Sequence, residues 1–333
     1  MAVVARPRPI SNRTAVLVAV ALMTGALALR LIDPQQVAWI RTYLVIFGSL
    51  LEQAIPFVMM GALAAAAVEV FVPVGTLEKL GSLPRPLQLP AAALAGLAFP
   101  ICECGSVPVA RRLAQRGLSP SAAVTFMLAA PVLNPVVLAS TFVAYRGRTT
   151  LWMMIGGRFA LGMAAAIAVG WVVGRRSAAE LLKPNPAETH VHAVELERPE
   201  ARSRRFITHL GNDFLFMGRY LILGATIAAA IQTFLPASLL ADVAGIPVLS
   251  IVAMMALAAA LSLCSESDAF VAASFVQFGP SAQLAFLVSG PMVDAKLVAL
   301  YGGTFRRGFI TTVVVTVPLV SLVGALWLGV IAG

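Results

Sequence analysis

Seven long apolar runs decide what this chain can fold into: Thr14–Ile32, Tyr43–Val72, Ser121–Ala144, Leu151–Val173, Phe214–Leu235, Ala282–Leu300 and Phe309–Ile331. A helix needs about 20 apolar residues to cross the roughly 30 Å hydrocarbon core of a bilayer. In hydrocarbon every backbone N–H and C=O must be paired internally, which leaves helices for runs of this length. The expectation is an all-α polytopic membrane protein. Composition agrees: 59% of the 333 residues are apolar and 12% are charged, against about 25% charged in a soluble protein. A soluble enzyme, a disordered chain and a disulfide-stapled secreted domain are excluded. The net charge of +9 does not point to nucleic acid, because the arginines lie in loops beside apolar runs, where the positive-inside rule puts them. The expected partner is the lipid bilayer. The first 30 residues carry a signal-like pattern, with Arg6, Arg8 and Arg13 before an apolar run. The run to Ile32 is long enough to span and further spans follow, so it reads as a retained span.

Two stretches are interrupted. Leu89–Gly117 has 13 apolar residues, then Cys102-Glu103-Cys104-Gly105-Ser106-Val107-Pro108, then an amphipathic piece with Arg111, Arg112 and Arg116. Pro247–Gly279 has about 17 apolar residues, then Cys264-Ser265-Glu266-Ser267-Asp268, then a second apolar piece. At 1.5 Å per residue the first apolar piece is too short to cross, and the whole second stretch is too long for one crossing. Both fit a re-entrant helical hairpin that turns on its cysteine motif, with irregular backbone buried in protein. With the N-terminus cytoplasmic and both stretches as hairpins, 17 of the 24 Lys and Arg fall inside and 4 outside. With both as single crossings the split is 9 to 12, which the positive-inside rule disfavours.

The chain also repeats itself. A shift of 160 pairs Cys104 with Cys264, Pro120-Ser121-Ala122 with Pro280-Ser281-Ala282, Phe126 with Phe286, Pro131 with Pro291 and Asn134 with Asp294. A shift of 163 pairs Gly61 with Gly224, Glu69 with Gln232 and Pro73 with Pro236. Each unit reads as one long helix, one hairpin and two spans. Three crossings per unit make the second unit inverted, and inverted repeats with broken helices near the midplane are a transporter architecture. The expected organisation is an N-terminal arm and extra span (1–42), a first repeat (43–174), a cytoplasmic linker (175–212) and a second repeat (213–333).

The three cysteines of the chain all lie at the two matched turns. A thiolate is a soft ligand, suited to soft metals and metalloids, whereas a cysteine can equally be a small buried hydrophobe. Confinement to matched turns, each with a carboxylate, favours the site reading for Cys102, Cys104, Cys264 and Ser265. Glu103, Glu266 and Asp268 are expected at membrane depth, where a carboxylate is costly and is a functional hypothesis by default. They are candidates for proton or ion coupling, together with Lys296. The competing reading is a fixed ion pair with Arg111, Arg219 or Lys296. Asn134 and Asp294 form a second polar pair and candidate substrate ligands. Gly105, Pro108, Pro131 and Pro291 are expected to break helices and free backbone groups. His190 and His192 in the linker can bind a metal but read more simply as solvated. The chain has no phosphate loop, dinucleotide fingerprint or His-Glu-x-x-His, so neither an enzyme nor a cofactor is expected.

At these residues the sequence resembles the predicted permease family that includes the ArsP-type organoarsenical efflux permeases. The matching blocks are Leu50–Leu63, Phe99–Leu113, Phe126–Ser140, Cys264–Phe275 and Phe286–Leu297, in order. The resemblance implies a permease and, in the ArsP branch, export of trivalent organoarsenicals. The leading expectation is a secondary exporter of a small inorganic or organometalloid, thiol-seeking species bound between the hairpins. The alternatives are a divalent metal transporter of the zinc type, a membrane thiol oxidoreductase using Cys102 and Cys104, and a subunit of a complex with a second membrane subunit.

Overall fold

The computed structural model describes residues 38–71, 83–98, 101–174, 176–184, 202–234 and 246–332. Named elements among them are all helical. In chain order they are α1 (Ala38–Phe71), α2 (Arg85–Ala95), α3 (Glu103–Gln115), α4 (Pro120–Leu133), α5 (Pro135–Tyr145), α6 (Leu151–Val173) and the single turn α7 (Ala178–Leu181). There follow α8 (Arg202–Phe234), α9 (Pro247–Leu261), α10 (Asp268–Ser274), α11 (Pro280–Ser289), α12 (Ala295–Thr304) and α13 (Arg307–Ala332). Five segments are long and apolar enough to cross a bilayer: α1, α4 with α5, α6, Ser203–Phe234 and Arg307–Val330. The chain is an all-α polytopic membrane protein. The expected first span Thr14–Ile32 and the linker histidines His190 and His192 lie outside the described residues.

The element order of the first half recurs in the second. A long helix (α1, α8) is followed by two short limbs flanking a cysteine turn (α2 and α3, α9 and α10), a span broken in its middle (α4–α5, α11–α12) and a continuous helix (α6, α13). In each half the first part of the broken span packs against both limbs of its hairpin and against the continuous helix. The continuous helices α6 and α13 pack on each other, and the long helices α1 and α8 run along one another.

The breaks have local causes, and some differ from expectation. Pro120 and Pro135 stand at the first positions of α4 and α5, where the missing N–H costs nothing. Ser119 caps α4 by accepting from the Ala122 N–H at 3.3 Å. Asn134 caps α5 by accepting from the Val136 N–H at 2.9 Å. Its repeat mate Asp294 caps α12, accepting from the Leu297 N–H at 2.5 Å. The apolar run Ala282–Leu300 is therefore not one span: the helix stops at Ser289, and Gly290–Asp294, with Pro291, carries the break. Pro131 does not break its helix, and α4 runs through it to Leu133. Gly105 and Pro108 are likewise inside α3. Cys102 is the N-cap of α3 and Glu103 its first residue. Pro108 leaves only the Cys104 carbonyl without an intrahelical donor.

Gly105 has a different use. A Cβ on Gly61 would overlap the Gly105 backbone, so α1 and α3 touch main chain to main chain there. In the second half the Gly61 mate, Gly224, touches the backbone of Lys296 in α12: a Cβ on it would lie 2.8 Å from the Lys296 Cα. The second cysteine turn uses neither glycine nor proline. Ser262 ends α9 in the left-handed region at φ 47°, a conformation uncommon for a residue with a Cβ. Helix α8 starts at Arg202, inside the segment expected to be linker.

Candidate functional site

The two cysteine turns meet inside the protein. Glu103, at the start of α3, is 1% exposed. Its Oε2 accepts from the Ser265 hydroxyl in the second turn at 3.1 Å. Its Oε1 accepts from Lys296 Nζ, in the first turn of α12, at 3.1 Å. One carboxylate thus joins the first hairpin, the second hairpin and the second broken span. The Lys296 ammonium also faces Asp294 Oδ2 at 3.8 Å. The i, i+2 spacing of Asp294 and Lys296 would separate them on a continuous helix. The break ahead of Ala295 lets them face each other.

The thiols surround this cluster. Cys102, Cys104 and Cys264 are free and buried. Cys104 lies within electrostatic range of Cys102, Lys296 and Glu103. Cys264 lies within the same range of Glu103, Lys296, Cys104 and Glu266. Among the described residues no three His, Cys, Asp or Glu side chains are grouped closely enough to hold one metal ion in this state.

A second buried pair anchors the second turn. Arg158, in the middle of α6, is fully buried. It donates to both carboxylate oxygens of Asp268, at 2.9 and 2.7 Å. It also donates to the Thr141 hydroxyl of α5 at 2.9 Å and to the Ser265 carbonyl at 3.3 Å. This two-pronged contact is the strong form of a charge-assisted hydrogen bond. The partner of Asp268 is therefore Arg158, and not Lys296 or Arg219 as the ion-pair reading expected. Arg219 instead stacks over the rings of Phe216 and Tyr220 at 4.5 and 5.0 Å. Arg111 donates to the backbone carbonyls of Lys183 and Thr304 at 3.0 and 3.5 Å.

Of the expected site residues, the structure brings together Cys102, Glu103, Cys104, Cys264, Ser265, Glu266, Asp294 and Lys296, with Asp268 at the edge beside Arg158. Asn134 is spent as a helix cap, and Gly105 as a contact surface. The sequence places Arg158 within a span, eight residues into an apolar run, but names no partner for it, although an intramembrane arginine needs one.

Charge completes the description. Glu103, Glu266 and Asp268 lie within electrostatic range of one another, Asp294 lies within range of Glu103, and two cations, Lys296 and Arg158, stand among them. One oxygen of Glu266 and one of Asp294 are buried with no hydrogen-bond partner. With every carboxylate ionised the cluster would carry two uncompensated negative charges, which a buried site does not sustain without protons or a cationic ligand.

Residues 40–330 match the family ArsP_1, described as "Predicted permease". The chain is 37% identical over 284 residues to UPF0718 protein YcgR of Bacillus subtilis, covering 84% of this chain and 95% of that protein. It is 31% identical over 288 residues to a putative two-component membrane permease complex subunit of Streptococcus mutans, covering 86% of this chain and 95% of that protein. No solved structure matches.

Proposed function

The chain belongs to the ArsP_1 family of predicted permeases, and on that premise we propose that it is a secondary exporter of a soft, thiol-seeking species such as a trivalent organoarsenical. The observation that carries the reading is Glu103, whose two oxygens tie the first cysteine turn to the second turn and to Lys296. A substrate that exchanges thiol ligands among Cys102, Cys104 and Cys264 would sit beside this junction. Soft sulfur ligands select such species over hard cations. Binding would disturb the Glu103 contacts and so reach both halves of the protein.

Coupling is assigned to the carboxylates. Asp268 is clamped by Arg158 and holds the second turn. Glu266 and Asp294, each with a buried oxygen that accepts no hydrogen bond, are the groups assigned to take protons, with Glu103 and Lys296 exchanging partners as they do. The N-terminus and the linker lie in the cytoplasm under this reading, as the arginine distribution expects. The name of the Streptococcus relative favours a second membrane subunit as partner.

The test is uptake of a trivalent methylarsenical into everted vesicles under an imposed proton gradient. The expected result is accumulation that is lost when Cys104 or Cys264 becomes Ser, with the protein still folded. Full transport by the triple Ser variant would remove the thiols from the site.

A further inference from the structure

The two halves of this protein have the same parts but not the same contacts, and the difference lies in where the long helices rest. Helix α1 packs on α3, and α8 packs on α12. By the repeat, α3 corresponds to α10 and α12 to α5. Helices α5 and α10 pack on one another, yet neither belongs to the main packing partners of α1 or α8. Gly61 touches the backbone of Gly105, whose mate at the shift of 160 is Ser265. Gly224, the mate of Gly61, touches Lys296 and not Ser265.

Burial records the same asymmetry. Within α3 almost every residue from Glu103 to Arg112 and Ala114 is buried, and in α12 the residues Lys296, Leu297, Leu300 and Tyr301 are buried. Of their mates, Val136 (for Lys296) is 52% exposed and Phe270 (for Ala110) is 49% exposed, and α5 also bares Val143 at 58%, while Val137 and Thr141, the mates of Leu297 and Tyr301, stay buried.

The covered side carries charged ties between the long helices and α3. At the end where α3 finishes, Arg112 donates to both carboxylate oxygens of Asp213 in α8, at 3.3 and 2.9 Å. It also faces Glu69, at the end of α1, at 3.7 Å. Arg116 pairs with the same Glu69 at 2.7 Å. Lys183 donates its N–H to the Thr304 carbonyl of α12 at 2.9 Å, and its ammonium reaches the Gly302 carbonyl. This end is the face that carries the linker. On the opposite face the ties run between α5, α10 and α11: Arg148 to the Ala273 carbonyl at 2.9 Å, and Tyr145 to Gln283 at 2.8 Å.

We infer that the protein is captured closed at its linker face, and that Arg112, bridging α3 to α8 and α1, is the gate that must open for the site to reach that side. In the alternate state the α1–α8 pair leaves α3 and α12 and covers the bared faces of α5 and α10. Gly61 then meets Val136, and Gly224 meets Ser265, the contacts that the repeat prescribes. Exchange of two packings between repeated halves is the form that alternating access takes in inverted-repeat transporters. The inference rests on the permease reading.

The experiment uses the native thiols as reporters. Sealed vesicles of each sidedness are treated with a charged, membrane-impermeant methanethiosulfonate, and modification of Cys102, Cys104 and Cys264 is followed by mass spectrometry. Linker-face labelling of the unaltered protein is expected to be slow. Arg112→Gln and Asp213→Asn should each raise it about tenfold, as a tenfold shift in population requires. Arg148→Gln, which cuts a tie on the opposite face, should not raise it. Glu69→Gln, which weakens the pairing of Glu69 with both Arg112 and Arg116 and leaves the Arg112–Asp213 bonds in place, replaces Arg112→Gln if that variant fails to assemble. Unchanged linker-face labelling in variants that remain folded, or an equal rise in Arg148→Gln, would overturn the gate. Labelling needs no substrate, so a failed arsenical assay leaves this result standing.

Discussion

Arg158 offers the sharpest test of how the second turn is held. In Arg158→Met the Asp268 carboxylate stays buried and loses both of its guanidinium bonds, and the Ser265 carbonyl and Thr141 hydroxyl each lose a donor. Removing one member of a buried pair costs about 3–5 kcal/mol, because the other charge is stranded. Asp268→Leu strands Arg158 in the same way and should cost a similar amount. The double variant Arg158→Met/Asp268→Leu removes both charges, and an apolar replacement of a buried pair is often close to neutral. What remains lost is the two bonds to Thr141 and Ser265, at about 1 kcal/mol each. The double variant should therefore be about 2 kcal/mol less stable than the unaltered protein and more stable than either single variant. Unfolding by titration with a denaturing detergent in mixed micelles, followed by circular dichroism, gives the three differences. A double variant as unstable as the sum of the two singles would show that Arg158 and Asp268 are not coupled. A loss below about 1 kcal/mol in Arg158→Met would show that the arginine is not holding a charge at all.

Three further outcomes are expected. Gly61→Ala places a methyl group onto the Gly105 backbone and should cost about 1–3 kcal/mol by overpacking; Gly48→Ala, with open space around it, should gain about 0.5–1 kcal/mol from helix propensity, both read from the same unfolding titration. Glu266→Gln should leave downhill arsenical movement intact while abolishing its response to an imposed proton gradient in vesicles, and a full response would exclude Glu266 as the proton carrier. A cysteine placed at Arg205 on a background lacking the native thiols should resist impermeant maleimide added outside intact cells, and efficient labelling would reverse the proposed orientation.

Much of this architecture was legible because membrane solvent imposes strict rules on sequence. The runs Leu151–Val173 and Phe309–Ile331 coincide with α6 and α13 to within two residues at each end. The paired prolines and cysteines raised the expectation that Asn134 and Asp294 hold equivalent places, and each caps the second part of a broken span. The pairing did not foretell that local role, since a cap is defined by which N–H lies bare at a break, and no composition rule shows that. Gly105 and Pro108 misled for a related reason. Both residues disfavour helix on their own, yet Gly105 stands where α1 approaches too closely for any side chain. That contact belongs to the tertiary fold, not to the local sequence. Arg158 and Asp268 are 110 residues apart, and only the folded chain makes them partners. Equally, α8 extends to Arg202 although its first turns are polar, because His209 and Asp213 on one of its faces are buried.

The gate and the site are linked by where the long helices touch. Helix α1 meets α3 at Gly105, two residues beyond Glu103, and α8 meets α12 at the backbone of Lys296 itself. The Glu103–Lys296 ion pair therefore spans the two small surfaces on which the long-helix pair rests. Lifting α1 and α8 from those surfaces frees both backbones at the positions that hold the pair together. Conversely, a ligand that separates Glu103 from Lys296 repositions the first turns of α3 and α12 beneath the long helices. The Arg112 ties lie about nine residues further along α3 from Glu103, some 13 Å at 1.5 Å per residue, on the same rigid helix. Movement of the α3 start is thus delivered to the gate without any intermediate loop. A glycine at each contact keeps the resting surfaces flat enough to part and re-form. On the proposed reading, occupation of the thiols and opening of the linker face would be two expressions of one displacement of α3 and α12 against α1 and α8.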